Sequence, residues 1–149
     1  MTNIKKNNLK LIGKNEEDLK VISAYLQDSV VLVKDIVFLK KNRTFIMVLN
    51  RFMWEDVEKG FFRQNKRIRC AVRFEEVLEV KSKKINQKNT ERPLEHLATK
   101  SSLDSNNLYR TKIFFSGGSI ITIVSEAIDV VMSDLGKPWS VKHFPIHKI

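Results

Sequence analysis

Cysteine occurs once in 149 residues, at Cys70, so an intrachain disulfide is impossible and nothing points to an oxidising compartment. Long apolar runs are missing as well. The opening residues, MTNIKKNNLKLIG, place lysines and asparagines where a secretory leader needs an uninterrupted apolar stretch. Nowhere do about 18 apolar residues fall together. The expectation is a cytoplasmic protein with no transmembrane segment. Enzyme motifs are absent too. No Gly-x-Ser-x-Gly elbow offers a hydrolase nucleophile. Gly117 and Gly118 stand between two strand patterns with no Lys-Ser or Lys-Thr behind them, so they read as a hairpin turn and not a phosphate loop. His143 and His147 have the spacing of a helical metal pair, but Pro145 lies between them and denies them a shared helix face. Glu75 and Glu76 are adjacent acids, and neighbours on a strand point to opposite faces. Cys70 reads as a buried, unreactive thiol among apolar strand residues, and His96 as a surface or core residue rather than a base. No catalytic residue, metal site or cofactor emerges.

What is present is an ordinary globular composition, 42% hydrophobic and 30% charged, in a chain long enough for one sizeable core. A single domain over residues 1–149 is expected, with an irregular tail over 137–149. The formal net charge of +10 brings in nucleic acid, an anionic membrane surface or an acidic protein as partners without choosing among them. A lysine- and asparagine-rich residue usage produces the same charge with no partner at all.

The element order is readable from the periodicity. LKLIG is a short strand candidate. Asn15 then caps NEEDLKVISAYLQDS, with acids in the first turn and Leu19, Ile22 and Leu26 on one stripe beside Tyr25. VVLVKDIVFL and TFIMVLNRFMW flank the polar turn KKNR as a hairpin. RIRCAVRFEE alternates, with Ile68, Cys70, Val72 and Phe74 on one face and Arg67, Arg69, Ala71 and Arg73 on the other. VLEVKSKKI is a further strand, LEHLATKSSL a weaker one after the polar loop closed by Pro93, and LYRTKIFF and IITIVS surround SGGS. EAIDVVMSDLG predicts a C-terminal helix, capped by Ser125, striped by Ile128, Val131, Met132 and Leu135, and stopped by Gly136 and Pro138.

Two places invite a binding role. In LNRFMWE, both faces of the strand are apolar, which predicts cover on both sides, yet Asn50 and Arg51 stand side by side near its end and need partners. A structural reading bonds Asn50 to a loop backbone and pairs Arg51 with Glu55, Asp56 or Glu58. A binding reading makes Arg51 and Trp54 an anion site. The following loop, EDVEKGFFRQN, folds Phe61 and Phe62 back onto the core. The second place is a basic stripe, Arg63, Lys66, Arg67, Arg69 and Arg73, in a stretch from Lys59 that holds no acid. It suits phosphates but lacks the interleaved aromatics of a single-strand nucleic-acid platform, and a solvated face accounts for it equally.

The phrases LNRFMWE, RFEEVLEV, FSGGSI and SDLG, with this order of elements, resemble a family of uncharacterised alphaproteobacterial proteins of about this length, a domain of unknown function. The resemblance covers nearly the whole chain and implies a bacterial cytosolic protein, but no reaction, ligand or site. The fold expected is α+β: one or two curved antiparallel sheets of about seven strands, with an N-terminal helix and a C-terminal amphipathic helix. That order also resembles the pleckstrin-homology arrangement; the alternative is one antiparallel sheet with both helices on one face. The functional expectation is a non-enzymatic binding or adaptor module. Its alternatives are nucleic-acid or anionic-lipid binding through the basic strand face, and an enzyme of unrecognised type.

Overall fold

The computed structural model of the protein describes residues 8–55 and 65–141. Strand β1 (Lys10–Gly13) leads into helix α1 (Glu16–Leu26), followed by β2 (Val30–Leu39), β3 (Thr44–Phe52), β4 (Lys66–Phe74), β5 (Val77–Lys83), β6 (Pro93–Leu103), β7 (Tyr109–Phe115), β8 (Ile120–Ser125) and β9 (Val130–Ser140). The nine strands found among the described residues pair antiparallel throughout, in the order β1-β9-β4-β3-β2-β6-β7-β8-β5. Among the described residues the architecture is thus a largely antiparallel, unclosed sheet with the helix α1 packed against it. It has more strands than the seven expected.

Local chemistry explains most of these elements. The Asn15 side chain accepts from the Asp18 backbone N–H at 2.8 Å, and three acids occupy the first turn of α1. The KKNR hairpin closes through a 3-10 turn at Lys40–Asn42, with Arg43 in the left-handed region. Gly117 and Gly118, at φ 76° and 81°, turn β7 into β8. In β4 the alternation holds: Ile68, Cys70, Val72 and Phe74 are buried, and Arg69 and Arg73 are exposed.

The predicted C-terminal helix is a strand. Val130, Met132 and Asp134 of β9 point inward, while Val131, Ser133 and Leu135 point outward. The segment DVVMSDL satisfies a period of two as well as one of 3.6, and its paired valines favour the strand. Tertiary pairing decides it, because β9 supplies the ladder for β1 on one side and β4 on the other. Ser125 is accordingly not a helix cap; its hydroxyl donates to the Ala127 carbonyl at 2.8 Å. Gly136, at φ 71°, lies in a bulge between the Arg69–Leu135 and Arg67–Trp139 pairs, not at a helix stop. Loss of this helix removes the element order on which the pleckstrin-homology likeness rested, along with the alternative that placed two helices on one face. Of the tail expected to be irregular, Lys137–Ser140 belong to β9, and 142–149, with His143, Pro145 and His147, lie outside the described residues.

The core collects inward residues from both halves of the sheet, among them Phe45, Met47, Cys70, Val72 and Met132 on one side and Leu94, Ile113, Phe115 and Ile123 on the other. Leu19, Ile22 and Leu26 of α1 join it. β3 is less covered than expected: Phe45, Met47 and Leu49 are buried, but Ile46 and Val48 only half so. β2 bows outward. It pairs Val31 with Leu49 and next Ile36 with Met47, and its contact with β6 ends at Leu32. Beyond that point the Val33 and Lys34 N–H groups donate to the carbonyls of Arg92 and Thr90 at 3.1 and 2.9 Å.

His96 is fully buried in β6, its Nε2 at 2.7 Å from the Thr99 hydroxyl and its ring edge-on to Phe115. Burial lowers its pKa to about 4, because the charged form has lost water. The unfolded chain then takes up a proton near pH 6.5 that the folded one refuses until about pH 4, so stability falls as pH drops through that window. The expected loss is about 3 kcal/mol, and His96→Gln should remove that share of the slope. Urea denaturation of both proteins at several pH values measures the difference; parallel curves would refute the assignment.

Candidate functional site

Arg51 stands on the core-facing side of β3, following Phe45, Met47 and Leu49, and is 0% exposed. Its guanidinium reaches past β4 to β9, where Nε and Nη2 donate to the two Asp134 oxygens at 2.7 and 2.6 Å. On its other side Nη1 and Nη2 donate to the Glu55 oxygens at 2.9 and 2.6 Å. A longer contact from Nη1 to the Phe52 carbonyl uses the remaining N–H, and the group lies 5.6 Å from the centre of the Tyr25 ring. All five donors are engaged, as a buried guanidinium requires. Burial opposes the charge, but the hydrogen bonds that Arg51 donates to Asp134 and Glu55 outweigh it and hold its pKa above the ordinary value.

The arrangement answers the demand raised by LNRFMWE. Glu55 was among the expected partners; Asp134 was not, because that segment read as helix. Asp56 and Glu58 lie outside the described residues. Trp54 donates its indole N–H to the Gln27 carbonyl at 2.8 Å and meets Phe52 edge-on, tying the end of β3 to the end of α1. Among the described residues the Asn50 side chain bonds no loop backbone; its Oδ1 accepts from Arg69 at 3.3 Å.

The basic stripe of β4 is substantially occupied. Arg69 pairs with Asp35 at 3.5 Å and Arg73 with Glu75 at 2.7 Å. Arg67 donates to the backbone carbonyls of Asp28 and Asn50 and lies over Phe52, and desolvation lowers its pKa from the usual arginine value. Lys66 is half-buried at the start of the strand. Arg63, with Phe61 and Phe62, lies outside the described residues. Glu75 and Glu76 sit in the turn after β4 rather than on a strand, with Glu76 at φ 58°. Cys70 is buried, and burial pushes its thiol well above the usual range.

Sequence reasoning missed a concavity. Where β2 bows away from β6, it faces the sheet's terminal strand β5 across a seam, and a pocket of about 330 Å³ opens there. Its floor reaches the core residues Phe45 and Ile121. Val33, Ile36 and Phe38 form one wall and Val80 and Ile85 the other, with Lys34, Ser82, Gln87 and Thr90 contributing the polar lining. Lys34 Nζ is 3.0 Å from Glu91. The sequence signal for this site is faint, because only the β2 bulge and the break in β2–β6 pairing create it.

Arg51→Ala leaves the Asp134 carboxylate buried without its cation and should destabilise the fold by about 3–5 kcal/mol, whereas Asp134→Asn leaves Arg51 paired with Glu55 and should cost less. Denaturant titration reads this directly. Cys70 should stay unreactive towards a disulfide reagent at pH 8 and become reactive only with unfolding; rapid modification of the native protein would contradict its burial.

No helix among the described residues is long and apolar enough to cross a membrane, and no group of three or more metal-ligating side chains occurs among them. No curated protein and no solved structure matches the chain. The model of the family described as protein of unknown function (DUF2948) matches residues 9–147, and the chain belongs to that family.

Proposed function

We propose that the protein is a non-enzymatic binding module that holds a small, largely apolar anion in the seam between β2 and β5. The carrying observation is the pocket itself: about 330 Å³, floored by core side chains and lined by a few polar groups. Sites for small molecules share this volume range and this mixture of apolar walls and sparse polar handles. Among its described lining residues the polar groups are a hydroxyl pair, an amide and one ammonium, which orient a ligand. Among those described residues neither a carboxylate nor an imidazole lines the pocket. Lys34 selects an acid over an alcohol, its attraction moderated by exposure and by Glu91.

Straight-chain carboxylates of increasing length, with the matching alcohols, test the reading by thermal shift and calorimetry. A carboxylate that fits should stabilise the protein by about 2.7 kcal/mol at a hundredfold excess over its Kd. Ile36→Trp, which fills the pocket from a half-buried wall position, should abolish the shift while leaving the unliganded protein folded. Lys34→Ala should weaken the carboxylate by about two- to fivefold and leave the alcohol unchanged. A flat response across the panel, or one that Ile36→Trp preserves, would overturn it.

A further inference from the structure

The outer face of the four strands β6, β7, β8 and β5 carries charge in a pattern that appears only after pairing. Lys100 lies directly opposite Lys112, Lys112 opposite Thr122, and Thr122 opposite Lys81. Three lysines and a threonine thus form one row across the sheet, and Lys83 extends it along β5. All four lysines are exposed. Lys81 is 3.4 Å from Glu79, but no ion pair engages Lys83, Lys100 or Lys112 among the described residues. Like charges directly opposite on a strand pair oppose folding, so Lys100 and Lys112 hold their positions against stability.

Apolar groups accompany the row. Two β-bulges, between the His96 and Ala98 pairings and between the Val77 and Glu79 pairings, set Leu97 and Leu78 out at 42% and 40% exposure. The pairing places them at diagonally opposite corners of the face, with the lysine row between them. Half-buried Phe114 and Ile120 lie beside the row, towards the turn between β7 and β8. An apolar ground with ammonium groups on long stems and leucines at the margins is the chemistry of a bilayer interface.

We propose that this face docks on an anionic lipid bilayer. Nucleic acid fits it less well. A single strand needs exposed aromatic rings for stacking, and the face offers only the half-buried Phe114. Four strands at the usual spacing span about 14 Å, too broad for a major groove of about 12 Å. Exposed leucines gain nothing against phosphates but bury apolar area among lipid headgroups.

Co-sedimentation of the full chain with phosphatidylcholine vesicles, with and without about 30% phosphatidylglycerol, tests the proposal. Binding is expected to the anionic vesicles only, and to weaken as salt rises. At about fivefold per lysine, the double change Lys100→Gln with Lys112→Gln should lower the partition coefficient about thirtyfold. Leu97→Ser should lower the binding that survives physiological salt. Folding is controlled by Lys100→Glu, which turns the like-charge pair into an opposite-charge one: it should raise Tm by about 1–3 °C while reducing vesicle binding. Failure to bind anionic vesicles at low salt, or equal binding by the double variant, would overturn the proposal. So would a duplex or single-stranded oligonucleotide that binds where the vesicles do not.

Discussion

One buried guanidinium organises this protein. Arg51 begins on β3, crosses β4 near Cys70 and ends on Asp134 of β9, while Glu55 closes on it from beyond the end of β3. Backbone ladders can slip; a doubly bidentate ion cluster with every donor used cannot. It fixes the register of β9 across β4 and holds the exit of β3 beside α1, where Trp54 adds the second tie. The apolar clustering that surrounds it contributes most of the stabilising area, but a slipped register would put Asp134 on the outer face and leave Arg51 in the core with only Glu55 as partner and two of its donors unmet.

The two halves of the sheet meet imperfectly, and that imperfection creates the pocket. β2 serves as the hinge strand, paired with β3 over most of its length but with β6 only over Val30–Leu32. Its bow at Leu32–Asp35 takes it off β6 and leaves a gap that the backbone of Thr90 and Arg92 only partly bridges. The seam therefore faces inward across β5 from Val80 and Ser82, and the lysine row faces outward from Lys81 and Lys83. Strand alternation puts the two features on opposite sides of the same edge strand.

Much of this was legible where the signal is local. The Asn15 cap, the KKNR and SGGS turns and the alternation of β4 are each set by a few neighbouring residues, and each formed as the pattern implies. The C-terminal segment reads as helix in isolation because DVVMSDL fits two periods, and the deciding factor, an open ladder on β1 and β4, lies more than 50 residues away in sequence. A helical period also hides Asp134 as a partner for Arg51, because only the strand period turns it inward. The basic stripe of β4 stood out in the sequence because its arginines cluster without acids, but folding brought Asp35 and Glu75 to them. Lys81, Lys100 and Lys112 are scattered along the chain, and only the pairing gathers them.

The place of β9 in the sheet sets an order of events on the ribosome. β9 is the last strand described and lies between β1, the first, and β4. Until it emerges, β1 has no neighbour and the outer edge of β4 presents unpaired N–H and C=O groups to any passing strand. Arg51 meanwhile has no Asp134 to meet, so that half of the core cannot close. Completion of the fold waits on contacts between the chain's two ends, the kind that form slowly and leave nascent chains exposed to mispairing. A nascent chain stalled before residue 130 lacks the whole of β9, and in that interval the unpaired edge of β4 is open to any strand that meets it.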